Sequence, residues 1–378
     1  MHRLKLLFLS FYNLDYGIGA SASLIDQLND LPSAVKAIVI EPNRIDLPQV
    51  KVEVPAIVKR VKIPLPLAGS LSLSYPLLAF FYGLKIALTL KPDMIFSMHH
   101  PFHTLSLSGH IISRILHIPH VVDLRDVWRP MGQKLTTCEH LKDIIERKVA
   151  RIIKNDIVIF VCSENKQILE SRAKITFKNA LILPNCVSSS LVKTVKVRKT
   201  KKRENIQFIF VGRIGHEYGL DKIKPFLDAL KSLGYKPSLL VVGHNQVGIP
   251  EYATYIGSLP RRETLQLIAE SDIGIGPLNP TVAIPRKVIE YLVLGKIIII
   301  GKNAVSKDIL KEYGDYIIEV SETDNVNQVV FRMLTMLENT NHDCKEMEKL
   351  YCEKKWEIIF EKIAGLNAQT LIPQKSAK

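Results

Sequence analysis

"AIPRKVIEYLVLGKIIII", residues 283–300, sets a polar helical signal directly against an apolar run. Pro285 suits the first turn of a helix, where its missing N–H costs nothing. Gly295 can close that helix in the left-handed conformation. Isoleucines 297–300 then read as a strand buried on both faces. Lys287 and Glu290 fall three apart on one helical face, near its positive end. On the residues alone the two are either a simple i,i+3 ion pair or a lysine and a carboxylate offered to a ligand.

The same punctuation recurs along the chain. In the first half "LKLLFLSF", "AVKAIVI", "DMIFSM", "HVVDLR" and "DIVIFVC" are short runs rich in Val, Ile and Phe, bounded by turn residues or charges. Residues 104–116 and 137–154 between them are long enough for crossover helices. The pattern restarts with "IQFIFVG", "PSLLVVG", "YATYIG", "DIGIGPL", "KIIIIG" and "DYIIEV". Such alternation predicts βαβ units and parallel sheets. Two successive doubly wound halves imply two facing Rossmann-like domains with a ligand cleft beyond the carboxyl ends of the strands.

A length of 378 residues fits two domains, and 47% hydrophobic with 23% charged residues fits a folded protein. The five cysteines are odd in number and lack CxxC spacing, which argues against a disulfide framework or zinc site and for a reducing compartment. The N-terminal apolar run reads as a first strand rather than a signal peptide. Net charge is +14, and "KTVKVRKTKKR" (193–203) concentrates it. That run is a solvated interdomain linker or an anchor to anionic lipid; a nucleic-acid site lacks the accompanying reader motif. The apolar stretch 63–90 carries one charge, Lys85, but Pro64, Pro66 and Pro76 leave about 14 residues of helix, short of the ~20 that span a bilayer. It reads as a buried or interfacial helix.

At the strand ends, Gly17 and Gly19 follow the first strand in "YNLDYGIGAS", where backbone N–H groups could approach a phosphate, although the spacing is not GxGxxG. Arg213 follows the first strand of the second half in "FIFVGRIGHEYGLD", placed either for a diphosphate or for a surface ion pair. His99, His100 and His103 share a strand end but lack a nearby carboxylate or cysteine to complete a metal shell.

Taken together, "FVGRI…EYGLD", "SLLVVG", "YIGSLPRRETLQLIAESDIGIGPL" and "PRKVIEYLVLGK" resemble, in order and spacing, retaining glycosyltransferases of the family-4 type. "KPDMIFSMHHP", "IPHVVDLRDVW" and "LPNCV" are similar to strand ends of that family's first half. The resemblance covers nearly the whole chain and implies the α/β GT-B fold. Residues 1–195 would form an acceptor-binding domain, joined by a return helix at about 353–378, and residues 205–350 a nucleotide-sugar-binding domain. It further implies transfer of a sugar from a nucleotide-sugar donor to a glycan or lipid-linked acceptor, with retention, no metal and no cofactor; the apolar stretch 63–90 and the basic run 193–203 add the expectation of a cytoplasmic protein in peripheral contact with a membrane. By position Arg213 and Lys287 would hold the diphosphate and Glu290 the ribose.

Three positions depart from the family. Its usual partner lysine is Tyr218 here, with Lys222 one helical turn on as a substitute; a second glutamate is Val282; and "DLRDVW" replaces a histidine segment, so Arg125 and Asp126 would face donor and acceptor. Asp126 could take the acceptor's proton or simply cap a turn. A nucleotide-sugar epimerase of the same fold and an inactive binding subunit are the rival readings. Trp356 lies on the amphipathic return helix expected to cross back to the first domain, which makes the segments near 190–205 and 345–355 the hinge.

Overall fold

The structure, a computed structural model, describes residues 4–16, 20–43, 55–64, 74–99, 104–127, 136–196, 204–213, 215, 218–244, 249–279, 285–339 and 344–371. Chain order gives β1 (Leu4–Leu9), α1 (Ala20–Asn29), β2 (Val35–Asn43), β3 (Val58–Pro64), α2 (Ser74–Leu90), β4 (Met94–His99), α3 (Leu105–Leu116), β5 (His120–Leu124) and α4 (Thr137–Ile153). There follow β6 (Ile157–Phe160), α5 (Ser163–Ala173), β7 (Asn179–Ile182) and the short α6 (Ser189–Val192). These seven strands form one parallel sheet in the order β3-β2-β1-β4-β5-β6-β7.

The second half repeats the design with β8 (Asn205–Val211), α7 (Lys224–Ser232), β9 (Lys236–Val242), β10 (Ala253–Gly257), α8 (Arg261–Glu270), β11 (Ile273–Ile275), α9 (Arg286–Val293) and β12 (Ile297–Gly301). Then come α10 (Lys307–Tyr313), β13 (Ile317–Val320), α11 (Val326–Asn339) and α12 (Cys352–Leu371). Its six strands are also parallel, in the order β10-β9-β8-β11-β12-β13. Every one of the six apolar runs read in this half is a strand; the interior ones are apolar because both their faces are covered, whereas β10 lies at the edge with Tyr255 and Ile256 exposed. The isoleucines of β12 are all buried.

The first half holds two strands that the sequence reading missed. In β3, Lys59, Arg60 and Lys62 interrupt the apolar pattern because the strand lies at the sheet edge, where one side needs no partner. At the opposite edge β7 is only four residues long. Pro76 was expected to interrupt a helix, yet it falls within the first turn of α2, where its missing N–H is tolerated. α12 returns to the first sheet, placing Trp356 among Phe8, Phe96 and Leu24. The indole Nε1–H donates to the Gln27 carbonyl at 2.8 Å.

A disulfide joins Cys186 and Cys352, which corrects the expectation from cysteine count. The two cysteines are 166 residues apart, so no local spacing could reveal the pair. Its presence removes the cysteine-based argument for a reducing compartment.

Behind the first sheet, His110 Nδ1 and His120 Nδ1 meet Asp156 Oδ2 at 2.7 and 2.8 Å, and His120 Nε2 meets the Ser97 hydroxyl at 2.7 Å. Burial holds the His120 pKa below the ordinary imidazole value, with Asp156 working the other way. The unfolded chain therefore takes up this proton first, and stability should fall as pH drops through the imidazole range. Asp156 is held below the usual carboxylate value by its two imidazole partners against its burial, so a further loss is expected at more acid pH. Denaturant midpoints measured across pH should show that slope in the parent chain and a shallower one in His120→Gln. Equal slopes would remove His120 as the cause.

Candidate functional site

A cavity of about 390 Å³ opens between the carboxyl ends of β8 and β9 and the start of α9. Ligands of parallel sheets bind at such strand ends. Val211, Gly212 and Arg213 leave β8 into its wall, and Val242, Gly243 and His244 leave β9 beside them. Gly212 and Gly243 have φ of 121° and 140°, a region closed to most side chains. A Cβ on Gly243 would strike the Gly212 carbonyl, so the two strand ends touch through bare backbone.

The opposite wall is the stretch quoted at the outset. Pro285 is the N-cap of α9, and Gly295 lies just past its end with φ 63°. Lys287 and Glu290 are both buried and line the cavity, but they do not pair with each other in an ion pair. The Lys287 ammonium lies 3.5 Å from the Phe210 ring centroid and 4.1 Å from that of Tyr218. Aromatic faces attract a desolvated cation. Tyr218, the departure from the lysine the resemblance would place there, thus helps seat a neighbouring lysine instead.

Glu290 Oε1 is held at 2.9 Å by both Arg261 of α8 and Arg286 of α9. The same two guanidiniums reach Asp26 of α1, at 3.0 and 2.6 Å. Two arginines and two carboxylates therefore form a closed cluster that joins the first half to the second. Burial opposes the Arg261 charge, yet Asp26 and Glu290 together hold its pKa above the usual guanidinium value. Arg286 goes the other way, lowered by burial and by the Arg261 charge beside it. None of Asp26, Arg261 and Arg286 was picked out from the sequence. Arg286 sat inside the quoted stretch, adjacent to Lys287, and its contact with Asp26 spans 260 residues.

Arg213, Arg261, Arg286 and Lys287 give the cavity four cations. Glu290 and the adjoining Asp26 supply two carboxylates, so four less two leaves a net +2. Lys222 does not line the cavity: the turn at Gly219, with φ 62°, swings it out to an ion pair with Glu322 at 2.8 Å. Lys222 is thus not among the cations that line the cavity.

Arg125 and Asp126 do not line the cavity either. Arg125 is buried, its Nε donating to Asp123 Oδ2 at 3.0 Å, and Lys355 of α12 reaches Asp123 Oδ1 at 3.5 Å. Burial opposes the Asp123 charge, but Lys355 and Arg125 keep its pKa below the usual carboxylate value. Asp126 is exposed at the end of β5. Tyr12 lies close by, its pKa pushed up to about 12 by burial and by the Asp126 charge. His99 is buried against the Ser106 hydroxyl at 2.8 Å. Gly17, Gly19, His100, His103 and Val282 lie outside the described residues. Among the described residues, three metal-ligating side chains come together at His110, His120 and Asp156, where both imidazoles already hydrogen-bond one carboxylate oxygen.

No protein-family model matches the sequence, and no curated protein matches it. Solved structures do match. HepE of Anabaena, crystallised with UDP and glucose, aligns over 97% of this chain and 99% of its own, with TM-score 0.56 and 18% identity. A glycosyltransferase from Rickettsia africae aligns over 96% and 99%, with TM-score 0.66 and 11% identity. The lipopolysaccharide outer core galactosyltransferase WaaB aligns over 95% and 100%, with TM-score 0.56 and 14% identity. The chain has the GT-B fold. In GT-B terms the cavity described above belongs to the second sheet, and Asp26 reaches it from the first.

Proposed function

We propose that this GT-B chain is a retaining, metal-independent glycosyltransferase, moving a sugar from a nucleotide-sugar donor to a glycan or lipid-linked acceptor. The observation that carries the reading is the net +2 cavity at the strand ends of the second sheet, with Glu290 in its wall. A departing nucleoside diphosphate gathers negative charge as the sugar bond breaks, and fixed cations there stabilise that state more than the substrate. Arg213 and Lys287 would carry this role, and the N-terminus of α9 adds to it. Glu290, held in the cavity wall by Arg261 and Arg286, would accept from a ribose hydroxyl. Asp126, exposed at the end of β5, would orient or deprotonate the acceptor hydroxyl, and the first half would hold that acceptor. The protein would work in the cytoplasm, at a membrane surface.

Titration with nucleoside diphosphates and the matching nucleosides tests the donor side. A diphosphate at 100 times its dissociation constant should add ~2.7 kcal/mol to stability. Glu290→Gln keeps the size of the side chain but gives up its charge, and should weaken diphosphate and nucleoside alike by roughly ten- to a hundredfold. Arg213→Ala and Lys287→Ala should weaken the diphosphate and leave the nucleoside nearly unchanged. Equal affinity of the parent chain for diphosphate and nucleoside would defeat the phosphate assignment.

A binding subunit without activity is the second reading, favoured by the engagement of Arg125 with Asp123 away from the cavity. Release of free nucleoside diphosphate only when acceptor is present separates transfer from both simple binding and epimerisation.

A further inference from the structure

A helix on the surface of a protein ordinarily turns a charged face to water. α2 does not. Its inward side presents Tyr75, Ala79, Gly83 and Ala87 to the first sheet. Its outward side presents Leu77, Phe81 and Leu88, each 58% exposed, with Tyr82 beside them. Leu77, Phe81 and Leu88 follow each other at spacings of four and seven, one continuous stripe along the helix.

The stripe does not end at α2. α3 packs closely alongside, so closely that a Cβ on Gly83 would come within 2.9 Å of Ile112 Cδ1. The Ser108 hydroxyl of α3 donates to the Pro76 carbonyl of α2 at 2.8 Å. α3 adds Ile111 and Ile115 to the exposed set. Scattered exposed apolar residues need no explanation, but a contiguous patch across two helices does.

Charge indicates what covers it. From residue 54 to residue 122 the only carboxylate is Asp93, against Lys59, Arg60, Lys62, Lys85, Lys91 and Arg114; of these, Arg60 and Lys62 are paired with Asp15 and Glu41, and Arg114 reaches Asp156 at 3.4 Å. Asp93 is itself taken up by the backbone N–H of Lys5 at 2.7 Å. Lys85 lies within the outward side of α2, Lys91 at its end, and Arg114 between Ile111 and Ile115. Apolar side chains beside the exposed Lys85 and Lys91 match an anionic lipid interface, where the first group enters the acyl boundary and the second meets the headgroups. A second copy of the same face would oppose cation to cation. Among the described residues no helix is long and apolar enough to cross a membrane, so the contact is parallel to the surface.

We infer that the outer face of α2 and α3 docks the protein onto an anionic lipid bilayer. The inference deepens the reading of a lipid-linked acceptor, and it is measured separately, since lipid binding and nucleotide binding are different readouts.

The full chain is mixed with vesicles of phosphatidylcholine and with the same vesicles containing phosphatidylglycerol, across a salt series, and bound protein is measured by flotation. Strong binding to the anionic vesicles, falling as salt rises, is the expected result. Phe81→Asp with Leu88→Asp should reduce it about tenfold or more. Lys85→Glu with Lys91→Glu should reduce it on anionic vesicles by a similar factor. All four positions are exposed, and an unchanged thermal melt and nucleotide response certify that the variants are folded. Absence of binding to either vesicle overturns the inference, as does binding that these variants leave unaltered. Self-association abolished by Phe81→Asp, without vesicle binding, also overturns it and assigns the face to a second copy. Loss of nucleotide response in the parent chain would instead strike the function reading and leave the surface intact.

Discussion

Asp26→Ala should lower the unfolding free energy by about 3–5 kcal/mol, the usual cost of removing one partner from a buried ion pair. Its side chain has no exposure, and those of Arg261 and Arg286 are 17% and 13% exposed. Substitution leaves two neighbouring guanidiniums beside Glu290 with one carboxylate fewer. Arg286, already lowered by burial and by the Arg261 charge, loses one of its two opposing carboxylates. Urea unfolding of the parent, Asp26→Ala and the double variant Asp26→Ala with Arg286→Met measures the effect. The double variant should recover part of the loss, because it removes one of the two adjacent cations as well as the carboxylate. A loss below about 1 kcal/mol in the single variant would mean that water screens the cluster as it does a surface pair. The substitution also cuts a link between the two halves, so nucleotide binding should weaken through Arg261 and Arg286, which share Glu290. Glu290→Gln gives the comparison: it alters the ligand-facing carboxylate while keeping Asp26 in place.

What the sequence made legible was periodic, and what it hid was long-range. Buried parallel strands announce themselves by unbroken apolar runs, as in β12 and β6, because no face of them meets water. The edge strand β3 is exempt from that demand, and its lysines concealed it. α9 was readable from both ends, since Pro285 and Gly295 carry local backbone preferences that do not depend on distant contacts. The partners of its side chains were not. Local spacing suggested that Lys287 and Glu290 pair with each other, yet tertiary contacts separate them. Phe210 and Tyr218 seat the lysine, and Arg261 and Arg286 hold the glutamate. Lys222 lies outside the cavity lining for a related reason. Helical spacing assumes a regular helix after Gly219, whereas the chain there makes a left-handed turn into a short 3-10 segment over Leu220–Ile223. Lys355 went unnoticed because α12 was read for its amphipathic packing, and its contact with Asp123 spans 232 residues.

Replacing Cys352 by serine, or reducing the disulfide, is expected to destabilise the protein by about 2–4 kcal/mol. In the chain-entropy account the effect grows with the loop that the bond closes, and a separation of 166 residues favours the upper end. The loop contains the entire second sheet. Cys186 lies where the chain leaves β7 for that sheet, and Cys352 begins α12 where the chain returns. These two crossings are also hydrogen-bonded without the disulfide: Val187 N–H donates to Leu350 O at 3.1 Å, and Cys352 N–H donates to Val187 O at 3.0 Å. Asp30 adds a third tie by accepting from the Ser188 hydroxyl at 2.8 Å and from Ser189 N–H at 2.6 Å. The native arrangement should therefore survive loss of the bond, and most of the cost should arise in the unfolded chain, which gains freedom. Two measurements separate this from a structural role. Denaturant midpoints should fall in Cys352→Ser and in the reduced parent by the same amount, and nucleotide affinity at neutral pH should stay within about twofold in both, a difference of only ~0.4 kcal/mol. Both cysteines are buried, so reduction should require opening of the crossings and be slow in native buffer. An unchanged midpoint would show that the hydrogen-bonded crossings already restrain the unfolded chain. A large loss of nucleotide affinity would instead show that the bond holds the two sheets in the relation that Asp26, Arg261 and Arg286 require.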